Sequence, residues 1–291
     1  MLLFCSCSLF QGGSLEYHLS QVKAWSDANP TEVISLLIVN SDSLPASQFA
    51  KAFESTGLSS KAYRPSTNTQ GVAKADWPTL GALIDAGTPV VAFLASYADD
   101  SVPYLIDEFS SMWEPRYNQL SVPFNCSIDR IYQGYNPANM MYVGNFFKDQ
   151  SVFGSTTLVI PDKDDMYKTN SRAQVLANAN ICAGMHNSWP TYILTDFFNT
   201  PRQGGPLEAA AFMNGTPWTS NSTGVPAGSI SYPGSTSSSS GGGKNGGSGG
   251  GSSTGTGNGT TTSAASARSL PFGVALLLAT STVLLGLGLL T

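Results

Sequence analysis

The chain has 291 residues, of which 11% are charged and 41% hydrophobic, against roughly 25% charged in an average soluble domain. Residues 1–224 hold twelve Lys and Arg against nineteen Asp and Glu, a net charge of −7, whereas residues 225–291 hold Lys244 and Arg268 and no acid. A net-negative domain repels phosphate backbones, which excludes a nucleic-acid binder, and about 220 residues suffice for one large core of the size of an α/β barrel.

In chain order, Met1 to Phe10 is apolar but lacks the basic flank of a secretory signal peptide and runs within a few residues into a patterned helix. The expectation is that the protein begins upstream of Met1, with a short signal cut near Ser8 as the alternative. Ser14 to Asn29 carries Leu15, Leu19, Val22 and Trp25 at helical spacing and stops before Pro30. Val33 to Val39 is a continuous aliphatic run, the pattern of a strand buried on both faces of a parallel sheet. Pro45 opens a second helix with Phe49 and Phe53 on one face, and Gly57 closes it. Thr79 to Ala86 reads as a short helix and Val90 to Leu94 as a strand.

Pro103 to Met112 then reads as helical, Met141 to Gly144 as a strand, Arg172 to Ala183 as a helix, Tyr192 to Asp196 as a strand and Leu207 to Met213 as a last helix. Strands alternating with helices imply parallel pairing with crossovers. Only four strands are legible, so a closed barrel needs either strands hidden within Tyr117 to Ile160 or a missing part. The stretch from Arg116 to Ile160, rich in Tyr, Asn and Pro, is expected to hold a long loop over a site.

Residues 225–269 are a Ser/Gly/Thr-rich stalk: Gly234 to Gly259 alone has 12 Gly and 8 Ser in 26 residues, too little apolar surface to offset the entropy of ordering. Residues 270–291 follow, with 21 uncharged residues from Leu270 to Leu290. Such a tail is either a transmembrane anchor or a GPI-attachment signal, and the lack of Lys or Arg after Leu290 favours the GPI signal. Asn258-Gly259-Thr260 is the expected attachment triplet, with Ser263-Ala264-Ala265 as the alternative. The expected location is the extracellular face of the plasma membrane.

An oxidising compartment gives the cysteines meaning. Cys126 and Cys182 lie deep in the domain and are expected to pair, whereas Cys5 and Cys7, one residue apart, make a strained partnership at best. Asn125, Asn214, Asn221 and Asn258 each open a glycosylation sequon.

Several segments together resemble a known family. These are Cys7-Ser8-Leu9-Phe10-Gln11-Gly12-Gly13-Ser14-Leu15-Glu16, Ala28-Asn29-Pro30-Thr31-Glu32-Val33 leading into Leu37-Ile38-Val39-Asn40, Trp77-Pro78-Thr79-Leu80-Gly81, and Asp196-Phe197-Phe198-Asn199. They are similar to the fungal phospholipase-C-like phosphodiesterases, secreted relatives of bacterial phosphatidylinositol-specific phospholipase C. The resemblance implies an α/β fold, a TIM-type (β/α) barrel incomplete at its N-terminus, with the site at the C-terminal ends of its strands. It implies phosphodiester cleavage of a phospholipid or inositol lipid with no metal and no other cofactor.

Family chemistry needs two imidazoles, one to deprotonate the attacking hydroxyl and one to protonate the leaving oxygen. One sits in a Gly-x-His-Asn-Ser turn after the first strand, and the other within a Cys-His-x-x-Cys pattern. Here the first strand would precede Met1, and the second pattern is shortened to Cys5-Ser6-Cys7 without a histidine. The chain holds only His18 and His186. His18 falls on a helix face. His186-Asn187-Ser188 imitates the family turn but precedes a strand, which puts it at the stability face of the barrel.

The remaining candidates stand at strand C-terminal ends. Asp196 matches the family's acidic position and is the catalytic candidate, as the carboxylate that orients a base. Asn40, Tyr97 and Asn145 are the substrate-binding candidates, each against a turn or packing role. Val39 stands where related eukaryotic phospholipases place a calcium-binding glutamate, which argues against calcium. Two functions follow: a GPI-anchored phosphodiesterase, or a non-catalytic relative that binds a phosphate ester or wall glycan.

Overall fold

The computed structural model describes residues 13–66, 71–155, 158–201 and 203–218, and the backbone alone at residues 6–7, 10–11 and 275–278. The stalk, most of the apolar tail, Cys5, Asn221 and Asn258 lie outside the described residues. The chain divides into two units, residues 1–224 with 269–291, and residues 225–268.

A short antiparallel ribbon, β1 (Ser6–Cys7) with β2 (Phe10–Gln11), precedes α1 (Leu15–Ala28). Ser14 caps α1 by accepting a hydrogen bond from the backbone N–H of Tyr17 at 3.1 Å. The buried Leu15 and Leu19 face the core. β3 (Ile34–Ile38) leads to α2 (Ala46–Ser55), whose Phe49 and Phe53 are buried, and Gly57 ends that segment at φ +73°. α3 (Leu80–Asp85) is capped by Thr79, and β4 (Val90–Leu94) is buried throughout.

The segment expected to be a helix from Pro103 to Met112 is instead β5 (Leu105–Asp107), one turn of α4 (Glu108–Ser111) and β6 (Met112–Pro115). Apolar residues on either side of a four-residue turn imitate helical spacing. β3 also departs from its expectation, since Ile34 to Leu37 are half-buried and Val39 is exposed.

Residues 117 to 161 do hold further strands, β7 (Ile128–Arg130), β9 (Asp149–Ser151) and β10 (Val159–Pro161), around the expected β8 (Met141–Asn145). Then come α5 (Met166–Thr169), α6 (Arg172–His186), β11 (Tyr192–Thr195), α7 (Pro206–Met213) and β12 (Ala275–Leu278).

β3, β4 and β5 form one parallel sheet, with Ile34 opposite Val90 and Ala92 opposite Leu105. A second sheet runs β12-β11-β8-β6-β7, parallel except for β7 against β6. The alternation of β4 sorts its side chains. Val90, Ala92 and Leu94 pack on α1 and α2, whereas Val91 and Phe93 meet Ile106, Met112, Met141, Val143 and Tyr192 from both sheets. The Tyr192 hydroxyl lies 3.2 Å from Ser35 Oγ across that shared interior. On the other side of the second sheet, Trp113, Tyr142 and Ile193 pack under α6 and α7. Among the described residues no helix is long and apolar enough to cross a membrane.

Candidate functional site

Parallel strands deliver their C-terminal ends to one side of a sheet, and that is where the buried polar residues gather. Asp107 ends β5, Glu114 lies in β6, Asn145 ends β8, and Asp196 follows β11. Glu114 and Asn145 are each 1% exposed.

Glu114 is the hub of one cluster. Its Oε2 is paired with Arg130 Nη2 and accepts a hydrogen bond from Asn145 Nδ2 at 3.2 Å. Asn145 Nδ2 also donates to the Pro115 carbonyl at 2.9 Å, while Asn145 Oδ1 is buried without a partner among the described residues. The Arg130 guanidinium lies 4.6 Å from the Tyr117 ring centre and 5.1 Å from that of Phe109, a stacked setting that fixes its plane. Glu108, buried beside Glu114, is pushed well above the usual carboxyl range by burial and then by that neighbour. That setting favours the neutral form of Glu108. Asp107 caps α4 through Ser110 N at 2.8 Å and accepts from the Tyr132 hydroxyl at 3.1 Å, and burial raises it.

Asp196 and Asp149 form the second cluster. Burial, then the charge of Asp149, raises Asp196 to about 6. Burial, then Asp162, raises Asp149 to about 6. The Oδ2 atom of each is buried with no hydrogen-bond partner among the described residues. Lys148, next to Asp149, gives its charge to Asp162 at 2.9 Å and Asp165 at 2.8 Å instead. Asn170 Nδ2 donates to the carbonyls of Asp196 at 2.6 Å and Phe197 at 3.2 Å, holding the turn in which Phe197 takes φ +49°.

The other expected residues are dispersed. Asn40 spends its amide on the backbone: Nδ2 donates to Leu44 O at 2.7 Å and Ser96 O at 3.1 Å, and Oδ1 accepts from Leu44 N at 3.0 Å. That is the geometry of a turn-holding asparagine. Tyr97 follows β4 with φ +58° and is 59% exposed. Asn125 is exposed, and its Oδ1 accepts from Ser127 N at 2.7 Å. Asn214 caps the end of α7.

Neither histidine joins the strand-end clusters. The His186 Nε2 lies 2.7 Å from the Cys126 carbonyl oxygen, and its ring stands edge-on to Trp113 at 4.6 Å. It closes α6, ahead of β11. His18 lies within α1 with its ring edge-on to Tyr17 at 5.5 Å. Cys126 and Cys182 form a disulfide that ties α6 to the chain before β7, with Cα atoms 5.1 Å apart.

Sequence reasoning missed Asp107, Glu108, Glu114, Arg130 and Asp149. Reading 103–112 as a helix turned Asp107 and Glu108 into an exposed polar face, and an unreadable 116–160 hid Arg130 and Asp149. The available signal was Glu114 itself, an acid directly after the apolar Met112-Trp113 pair. Among the described residues no group of three or more His, Cys, Asp or Glu is placed to hold a metal ion.

The PI-PLC X family model (PI-PLC X 1) matches residues 1–214. The PI-PLC X domain-containing protein 1 of Arthroderma benhamiae is 34% identical over 216 residues, which cover 72% of this chain and 68% of that protein. A second protein of the same fungus, described as an uncharacterized secreted protein, is 31% identical over 222 residues, 73% of this chain and 50% of its own length. No solved structure matches the chain.

Proposed function

The chain belongs to the PI-PLC X domain family, and from that premise we propose that it holds a phosphodiester headgroup of a phospholipid or inositol lipid at the strand ends without cleaving it. The reading takes the fold as a TIM-type barrel whose site lies between Glu114–Arg130 and Asp149–Asp196. It places the domain at the outer face of the cell, attached by a GPI anchor for which the Leu270 to Leu290 tail is the signal.

The observation that carries it is the separation of imidazoles from carboxylates. Asp196 stands ready to orient a base, with Oδ2 unpartnered, yet His186 is engaged by Cys126 and Trp113 on the far side of β11. Family chemistry needs two positioned proton carriers, each supplying typically about 10²–10⁴-fold. Arg130 supplies the planar cation suited to a phosphate oxygen, and Asn145 supplies an orienting amide.

The acids set the pH dependence. Below about 6 Asp149 and Asp196 are neutral and tolerate an anionic ligand. Above it they charge and repel. Calorimetric titration of the full chain with glycerophosphoinositol, which has no acyl chains, should give binding at pH 5 that weakens about tenfold by pH 7.5. Asp196→Asn should flatten that dependence. Absence of binding at pH 5, or affinity that rises with pH, overturns the reading.

A second reading is favoured by the two carboxyls both lying near 6: slow hydrolysis with Asp149 and Asp196 as the acid–base pair. It predicts turnover with a bell-shaped pH profile centred near 6, lost in either Asn variant.

A further inference from the structure

Phe124, Asn125, Cys126 and Ser127 alternate between core and solvent. Phe124 and Cys126 are each 2% exposed, whereas Asn125 and Ser127 lie on the surface. Extended backbone sends successive side chains to opposite sides, and two anchors fix the inner pair. Phe124 stacks on Phe146 with ring centres 5.9 Å apart, and Cys126 is bridged to Cys182. The backbone between the anchors is clamped as well: Gln119 Oε1 accepts from Asn125 N at 2.6 Å, and Asn125 Oδ1 accepts from Ser127 N at 2.7 Å. The Asn125 Nδ2 and the Ser127 hydroxyl have no hydrogen-bond partner among the described residues.

Those two groups are the ones an N-glycosylation sequon uses: the amide nitrogen takes the sugar, and the hydroxyl two residues on completes the acceptor pattern. Asn214-Gly215-Thr216 fits the same pattern in a different setting. It closes α7, where Asn214 N donates to Ala210 O at 3.0 Å and Thr216 N to Ala211 O at 2.9 Å. Thr216 Oγ1 also donates to Ala211 O at 3.1 Å, and Asn214 is half-buried. The fold therefore spends the second sequon on a helix end and leaves the first one open.

We propose that Asn125 carries an N-linked oligosaccharide, that Asn214 does not, and that the sugar is transferred before Cys126 bridges to Cys182. In the transfer a bond forms from Asn125 Nδ2 to the anomeric carbon of a lipid-pyrophosphate-linked oligosaccharide. The bond from that carbon to the pyrophosphate oxygen breaks, the lipid pyrophosphate leaves, and the amide nitrogen gives up one proton. Once folded, Asn125 is pinned between two buried neighbours, so the transfer takes place on the unfolded chain. Cys182 lies 56 positions beyond Cys126 and, at about 5–20 residues synthesised per second, follows it by about 3–11 s. Throughout that interval Cys126 has no Cys182 to bridge. The fold then accepts the sugar at Asn125 without losing a hydrogen bond. The proposal rests on passage through the oxidising compartment that the bridge itself implies, and the headgroup reading plays no part in it.

The test expresses the full chain in a fungal secretory host and releases the sugar with an endoglycosidase in water labelled with heavy oxygen, which turns each occupied asparagine into a labelled aspartate. Peptide mapping should find the label at Asn125 and not at Asn214, in chains whose Cys126 and Cys182 are bridged. Ser127→Ala should abolish the Asn125 label and leave the melting temperature equal to that of enzymatically deglycosylated wild type, whereas Ser127→Thr should keep the label. Cys182→Ala, read on the intracellular as well as the secreted chain, should leave Asn125 occupancy unchanged, because the sugar arrives before the bridge can form. An unlabelled Asn125 in the wild type, a labelled Asn214, or a label confined to chains with unbridged Cys126 overturns the proposal. Occupancy that rises in Cys182→Ala does so too, since it would show the bridge forming first.

Discussion

Replacing Cys126 and Cys182 together by alanine should lower the melting temperature of the full chain by about 10 °C. The bridge joins residues 56 positions apart, and removing a loop closure of that length from the unfolded ensemble costs about 4 kcal/mol on the chain-entropy account. For a domain of this size each kcal/mol moves the midpoint by about 2–4 °C. The bridge lies in a seam with further contacts. The Cys126 carbonyl holds His186, and Phe124 N donates to Asn178 Oδ1 at 3.3 Å in the same seam. Scanning calorimetry of wild type and double variant, with and without reductant, measures the effect. Equal midpoints in all four samples would show that the bridge does not hold α6.

Asp149→Asn should stabilise the chain at pH 7.5, and the gain should vanish near pH 4. An acid whose folded-state pKa lies above its unfolded value contributes fully below the unfolded pKa of 3.8, and the contribution is lost as pH rises through the folded value of about 6. At pH 7.5 the wild type therefore keeps a buried charge at a cost of about 3 kcal/mol for a shift of this size. Asparagine has the same shape and no charge. Its removal also takes away the charge that raises Asp196, so the Asp196 carboxyl should titrate lower in the variant. Thermal melts from pH 4 to pH 8 read the first effect and carboxyl NMR the second. A destabilised variant at pH 7.5 would mean that the Asp149 carboxylate has a partner that sustains its charge.

Legibility in the sequence followed physical scale. Helices with caps and one apolar face could be read directly: Ser14 and Asn29 bracket α1, Pro45 and Gly57 bracket α2, and Thr79 starts α3. Buried strands of four or five residues, such as Val90–Leu94 and Tyr192–Thr195, were equally plain. The short strands β5 and β6 were not, because β5, α4 and β6 follow one another without a Gly or Pro to separate them. Period-2 and period-3.6 patterns cannot be told apart over so few positions.

The site divides in the same way. Asp196 was found because it ends a legible strand. Asp149, its electrostatic partner, opens a three-residue hairpin strand inside the unreadable stretch. Asn40 shows the limit of position alone: a strand-end location is shared by ligand-binding and turn-holding asparagines. Only its three backbone hydrogen bonds distinguish them.

The most direct measurement of the central claim is diacylglycerol release from phosphatidylinositol vesicles by the full chain, followed from pH 5 to pH 8 beside a buffer control. A headgroup-binding domain whose two histidines are held away from its carboxylates predicts no release above buffer at any pH, with vesicle binding strongest at the acid end. Release that peaks near pH 6 and disappears in Asp196→Asn, or that disappears in His186→Ala, would contradict it.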